Sequence, residues 1–120
     1  MSRHVLVVED DPNSLSALAE LIEHVGFTTA TATTLAAARA QVRQRLPDVL
    51  LVERRLPDGN GIDWLAELAP PLPRHVIIIS GDPGVTLPAP LPPAQLHLFE
   101  KPVDISRLLA LLRSIGGGAA

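Results

Sequence analysis

The 120-residue sequence contains no cysteine and no tyrosine, and its only aromatic residues are Phe27, Trp64 and Phe99. Without thiols there can be no disulfide, no thiol nucleophile and no cysteine-based zinc site, which suits a reducing compartment. With so few aromatics, a core has to be built from Leu, Val, Ile and Ala, a palette that favours β-branched strands covered by Leu- and Ala-rich helices. Blocks of like charge are missing as well. Formal net charge is -3, and no run of bases offers a surface to a nucleic-acid backbone or an anionic membrane, so direct DNA contact would need another domain. The first apolar run, residues 4–8, is broken at once by Glu9, Asp10 and Asp11, too soon for a signal peptide or a membrane span. The cytoplasm is the expected location.

What is present suits one folded domain. Hydrophobic residues make up 47% and charged residues 19% of the chain, and the length suffices for a single core without staples. Residues 4–8 (HVLVV) read as a strand buried on both faces. Asp11 before Pro12 reads as a helix cap, and Leu15, Leu18, Leu21, Ile22 and Val25 make an apolar stripe that ends at Gly26. Residues 27–32 form a weaker, Thr-rich strand pattern, and Thr33 and Thr34 can cap a helix from 35 to about 45. Residues 48–53 (DVLLVE) repeat the buried-strand pattern, followed by the turn LPDGNG and a helix over about 62–68. Residues 75–80 and 95–99 are further strands, and Asp104 caps a last helix that runs to Gly116 and carries Leu108, Leu109, Leu111 and Leu112. Such alternation implies a parallel sheet with helices on both faces. Between Ser80 and Gln95, five prolines and two glycines leave no room for a helix longer than about a turn, so a fourth helix is expected to be short or missing.

In an open parallel sheet, the functional crevice lies beyond the carboxyl ends of the strands. The residues that follow the apolar runs are Glu9 and Asp10, then Glu53, Ser80, and Lys101 with Pro102. Three carboxylates at one edge repel each other, which makes the edge a candidate site for a hard divalent cation such as Mg2+. The motifs VVEDDP, LLVERRLPDGNG, IIIS-Gly and FEKPV stand in the order and spacing of response regulator receiver domains of two-component systems. From Arg3 to Ile115 the chain resembles that family.

The resemblance implies a flavodoxin-like (βα)5 fold with a five-stranded parallel sheet in order 2-1-3-4-5, and a signalling module rather than an enzyme. It implies that Asp10 is a direct Mg2+ ligand, that Glu9 holds the metal through water, and that the backbone carbonyl of Arg55 completes coordination. Ser80 corresponds to the switch hydroxyl, Lys101 to the lysine that pairs with a phosphoryl group, and Lys101–Pro102 to a bond that is usually cis. Two positions depart from the pattern. Glu53 stands where the family has its phosphate-accepting aspartate, and one extra methylene moves the carboxylate by about 1.5 Å. In-line transfer tolerates such displacement poorly, since about 1 Å can cost on the order of a hundredfold in rate. Leu98 stands where a switch Tyr or Phe is common. These departures lead to the expectation of an atypical receiver that is not phosphorylated in the usual way, has a vestigial or lost Mg2+ site, and carries in Glu53 a partial mimic of the phosphorylated state. It would act on an output domain, such as that of a transcription factor, through protein contacts, with a histidine kinase as the family's usual partner and homodimerisation through the last helices.

Plainer readings stand beside these. Asp11 is better explained as a cap than as a ligand, and Ser80-Gly81 by itself is an ordinary turn. His4, His24, His75 and His97 lack zinc spacing and are read as structural. Arg54, next to Glu53, could neutralise it without a metal, and Trp64 is expected between the third helix and the sheet. The P-x-x-P spacing within residues 88–93 fits a loop better than a peptide-recognition ligand. Residues 1–115 are taken as the receiver and 116–120 as a flexible tail or the start of a linker. Among other functions, a phosphorylatable receiver using another acid is one alternative. A Mg2+-dependent phosphatase would want an acid where Arg55 stands. A nucleotide or flavin site would want glycines where the chain reads Glu-Asp-Asp-Pro.

Overall fold

The computed structural model describes residues 3–82 and 95–116. Its central sheet contains β1 (Arg3–Val8), β2 (Phe27–Ala32), β3 (Val49–Glu53), β6 (His75–Ser80) and β7 (Leu96–Glu100). Their order is β2-β1-β3-β6-β7 and every pairing is parallel. Setting aside a small antiparallel hairpin of β4 (Arg55–Leu56) and β5 (Gly59–Asn60), this is the expected 2-1-3-4-5 order. The described helices are α1 (Pro12–His24), α2 (Leu35–Gln44), α3 (Gly61–Glu67) and α4 (Ile105–Ile115).

The helix starts follow local chemistry. Asp11, Thr34, Asn60 and Asp104 are the N-caps, each accepting a hydrogen bond from a first-turn backbone N–H. Two stretches differ from the sequence reading. The LPDGNG turn contains the β4–β5 hairpin, and α3 begins at Gly61 because the Asn60 carboxamide accepts from the Ile62 and Asp63 amides. The expected short or missing fourth helix, the prolines of 88–93 and the tail from 117 lie outside the described residues.

Period-two alternation divides each central strand between two cores. Leu6, Val8, Leu50, Val52, Val76 and Ile78 pack against Leu35 and Ala38 of α2 and Trp64 and Leu65 of α3. Val5, Val7, Val49, Leu51, Ile77 and Ile79 pack against Ile22 of α1 and Leu108 and Leu112 of α4. This two-sided burial explains why the strands read as unbroken apolar runs. It also assigns the residues at the strand ends: Glu9, Glu53 and Lys101 continue the parity of the α1/α4 face, whereas Asp10 and Ser80 continue that of the α2/α3 face.

Candidate functional site

Since all five strands run parallel, Glu9, Asp10, Glu53, Ser80 and Lys101 gather at one edge of the sheet. Register fixes their depth: Val8 is level with Val52, Glu53 with Ile79, and Ser80 with Glu100. Asp10, Glu53, Ser80 and Lys101 line a single polar cavity of about 330 Å3 together with Arg54, Arg55 and Asp82. At its centre, Lys101 Nζ lies 3.0 Å from Glu53 Oε2, and the Glu53 side chain is only 8% exposed. Burial alone would pull the Lys101 ammonium down, but its hydrogen bond to Glu53 and the charges of Glu53, Glu9 and Asp10 outweigh burial and hold it above the ordinary lysine value.

Glu9 is buried beside this pair. Its Oε2 has no donor among the surrounding protein groups. Burial first, then the negative charge of Glu53, push its carboxyl up to about 7, with Lys101 opposing. The closeness of a second acid in a buried setting is the physical reason for that rise, since two neighbouring carboxylates repel each other.

Ser80 is engaged elsewhere. Its hydroxyl accepts from the Asp82 amide at 3.0 Å and donates to the Asp82 carbonyl at 3.3 Å, shaping the loop after β6. Arg54 also departs from the sequence reading: it does not neutralise Glu53 but pairs with Asp82, which Arg55 contacts as well through Nη2 at 2.8 Å and Nε at 3.0 Å. The Arg55 hydrogen bond first, then the charges of both guanidiniums, hold the Asp82 carboxyl below its usual value against a desolvation that opposes them. The Lys101–Pro102 peptide bond is cis, and the Lys101 amide donates to the Ser80 carbonyl at 2.9 Å. Leu98 lies on the α2/α3 face, packed against that core.

Sequence reading missed three contributors. Asp82 escaped because its partners lie 27 and 28 positions away and meet it only because β3 and β6 are neighbours. Asp58, read as a turn residue, reaches across to accept from the Leu35 and Ala36 amides at 2.8 and 3.0 Å, capping α2. Gly61 sits against the site: a Cβ there would collide with the Glu53 carbonyl oxygen and lie 2.9 Å from Val52 Cγ2. The two glycines of DGNG were the available signal.

Mg2+ would need open carboxylate oxygens. Among the described residues, no three carboxylate or imidazole groups converge as a metal-holding cluster. Asp10 is exposed, Glu9 is buried, and Lys101 supplies beside Glu53 the positive charge that a cation would bring. As arranged, these side chains do not fit the ion.

A doubly wound parallel sheet with an acidic carboxyl edge and a lysine following the last strand is the arrangement that the sequence resemblance implied. A family model described as response regulator receiver domain matches residues 5–113, and the chain belongs to that family. Its members are signalling modules in two-component systems, not enzymes. The photosynthetic apparatus regulatory protein RegA of Rhodobacter capsulatus is 30% identical over 116 residues, covering 95% of this chain and 63% of that protein. The transcriptional regulatory protein KdpE of Mycobacterium tuberculosis is 38% identical over 76 residues, 63% of this chain and 34% of KdpE. The chain therefore spans less than two thirds of the length of these regulators. Among solved structures, the signal receiver domain of an HD domain-containing protein from Pseudomonas fluorescens Pf-5 superposes with a TM-score of 0.82 at 24% identity, covering 96% of this chain and 94% of that one, a likeness of fold. No described helix is long and apolar enough to cross a membrane.

Proposed function

We propose that this receiver works without phosphorylation of its acceptor position, Glu53, and transmits its signal through protein contacts. The observation that carries this reading is the Glu53–Lys101 ion pair. The lysine that would engage an incoming phosphoryl group is already committed to a buried carboxylate. Glu53 thus stands in for part of a phosphoryl group, with one negative charge in place of nearly two. The mimicry is partial, since the Ser80 hydroxyl bonds to Asp82 rather than to Glu53. Mg2+ is dispensable in this reading, because Lys101 already brings a positive charge against Glu53. Asp10, Glu9 and the Arg55 carbonyl are the remnant of the family's metal site.

The output in this reading is a DNA-binding or other effector domain attached beyond residue 116, in line with the transcriptional role named for KdpE. In this reading residues 1–115 are the receiver and 116–120 a flexible tail or the start of a linker. The protein acts in the cytoplasm, its partners are the output domain, a second copy or a histidine kinase, and this domain itself does not touch DNA. The test is intact-mass analysis after incubation with acetyl phosphate and Mg2+. The expected result is no adduct; a stoichiometric, base-labile gain of about 80 Da, the mass of a phosphoryl group, would sink the proposal.

A further inference from the structure

His75 and His97 meet on the α1/α4 face of the sheet, at the end away from the acidic edge. Strand register brings them together: Ile77 is level with His97, so His75, two residues earlier on β6, is its diagonal neighbour on the same face. His75 Nδ1 lies 3.4 Å from His97 Nε2, with the ring centres 5.6 Å apart and the ring planes within 27° of each other. The two nitrogens therefore sit close to the line that joins the ring centres, and the imidazoles meet edge to edge. Among the described strands, β7 lies at the edge of the sheet beside β6, and this pair is a side-chain link between the two. Both rings are half-buried, and His97 lines a groove with Phe99 and Arg107 through which solvent reaches it.

A neutral imidazole has one N–H and one bare nitrogen, so a neutral pair supplies the one donor and one acceptor that facing nitrogens need. A first proton turns one ring into an imidazolium that still donates to the other, now in a charge-assisted bond. A second proton leaves two N–H groups aimed at each other and two positive charges side by side. The surroundings add further cations: Arg74 and Arg3 act on His75, and Arg107 of α4 acts on His97. Arg107 is itself engaged, donating to the Leu98 carbonyl at 3.3 Å with its guanidinium 4.3 Å from the Phe99 ring centre. Asp48 accepts the His75 amide through its backbone carbonyl at 3.1 Å, but its carboxylate is turned to the His4 amide at 2.8 Å. Burial first, then these positive neighbours, hold both imidazoles below 6.5.

We propose that His75 and His97 form an acid-sensitive clasp on the edge strand: a neutral or singly protonated pair bridges β6 and β7, and a second proton drives the rings apart and frees the start of β7. The proposal goes beyond the unphosphorylated reading and stands whether or not Glu53 accepts phosphate. Because β7 runs directly into Lys101, the clasp acts on the strand that delivers the lysine to Glu53.

The test follows the ring nitrogens of the 15N-labelled protein by NMR as pH is lowered from about 8 to 4, an interval that brackets the ordinary histidine value. His75 and His97 are expected to titrate as a pair in two steps about one pH unit or more apart, each ring sensing both steps, as interacting sites do. Amide protection factors along Leu96–Phe99 should hold through the first step and fall about tenfold or more at the second. His97→Gln keeps a donor and an acceptor but cannot take the second proton. In that variant His75 should titrate in a single step, and the tenfold loss of protection along β7 should disappear. Three results overturn the proposal: both rings titrating in one common step, a His75 titration that His97→Gln leaves unchanged, or β7 losing protection in acid equally in the parent and the variant. Circular dichroism checks that the variant folds; where it does not, the titration of the parent's two rings decides alone. None of these outcomes touches the phosphorylation reading, which is judged by mass.

Discussion

At the scale of single residues, the proposed function turns on one methylene at Glu53. Glu53→Asp withdraws the carboxylate by about 1.5 Å and lengthens its reach to Lys101, reopening room for a transferred group. The expected outcome is an acetyl-phosphate-dependent mass adduct in Glu53→Asp that the parent protein lacks. Glu9 supplies a second prediction. Its carboxyl is raised from the ordinary 4.5 to about 7, so the folded protein binds this proton more tightly than the unfolded chain does. The stabilisation is full below about 4.5 and is lost as pH rises through 7. Glu9→Gln keeps the shape and removes the charge, so at pH above 7 it should raise stability by on the order of 1–3 kcal/mol. Its advantage should vanish in acid, and urea unfolding at two pH values reads the difference.

At the scale of elements, the site depends on how β3 hands over to α3. The Gly61 amide donates to the Arg54 carbonyl at 2.7 Å, and the Arg54 amide to the Ile79 carbonyl at 2.9 Å, pinning the chain just after Glu53. Gly61→Ala forces a methyl group against the Glu53 carbonyl and Val52, and overpacking of this kind costs about 1–3 kcal/mol. Because the strain falls on the Glu53 backbone, the Lys101 ammonium resonance should move in the same variant. Asp58 links the loop after β4 to the start of α2 through the Leu35 and Ala36 amides. Asp58→Ala should lower the melting temperature and speed amide exchange in the first turn of α2, where Thr34 would remain the only side-chain cap.

At the scale of the whole molecule, pH acts through opposing groups. Burial, as the leading cause, lowers His4, His75 and His97 below 6.5. Their stabilisation is therefore present above 6.5 and lost as pH falls through their folded values, the reverse of Glu9. Asp11, Asp58 and Asp82, held down chiefly by hydrogen bonds, keep their contribution down to about pH 4 and lose it in stronger acid. The parent protein should then show a shallow stability profile between about pH 5 and 7, where histidines and Glu9 partly cancel. Glu9→Gln should unmask the histidines, giving stability that climbs through that interval. A parent profile as steep as the variant's would mean that Glu9 does not hold its proton in the folded state.

Much of this architecture follows from local pattern. Apolar β-branched runs at 4–8 and 75–80, Asp-Pro at 11–12, and Asp104 before a Leu-rich stretch specify strands, caps and the helix between them, because capping and period-two burial act over a few residues. The candidate site was legible for the same reason: parallel strands deliver their terminal residues to one edge, so Glu9, Asp10, Glu53, Ser80 and Lys101 were bound to meet. Only the tertiary structure decided which charges pair. Lys101 rather than Arg54 took Glu53, both arginines turned to Asp82, and Ser80 turned into its own loop. Pairing depends on which strands lie side by side and on which face each strand end emerges, and those relations join residues too far apart in the chain for spacing to reveal.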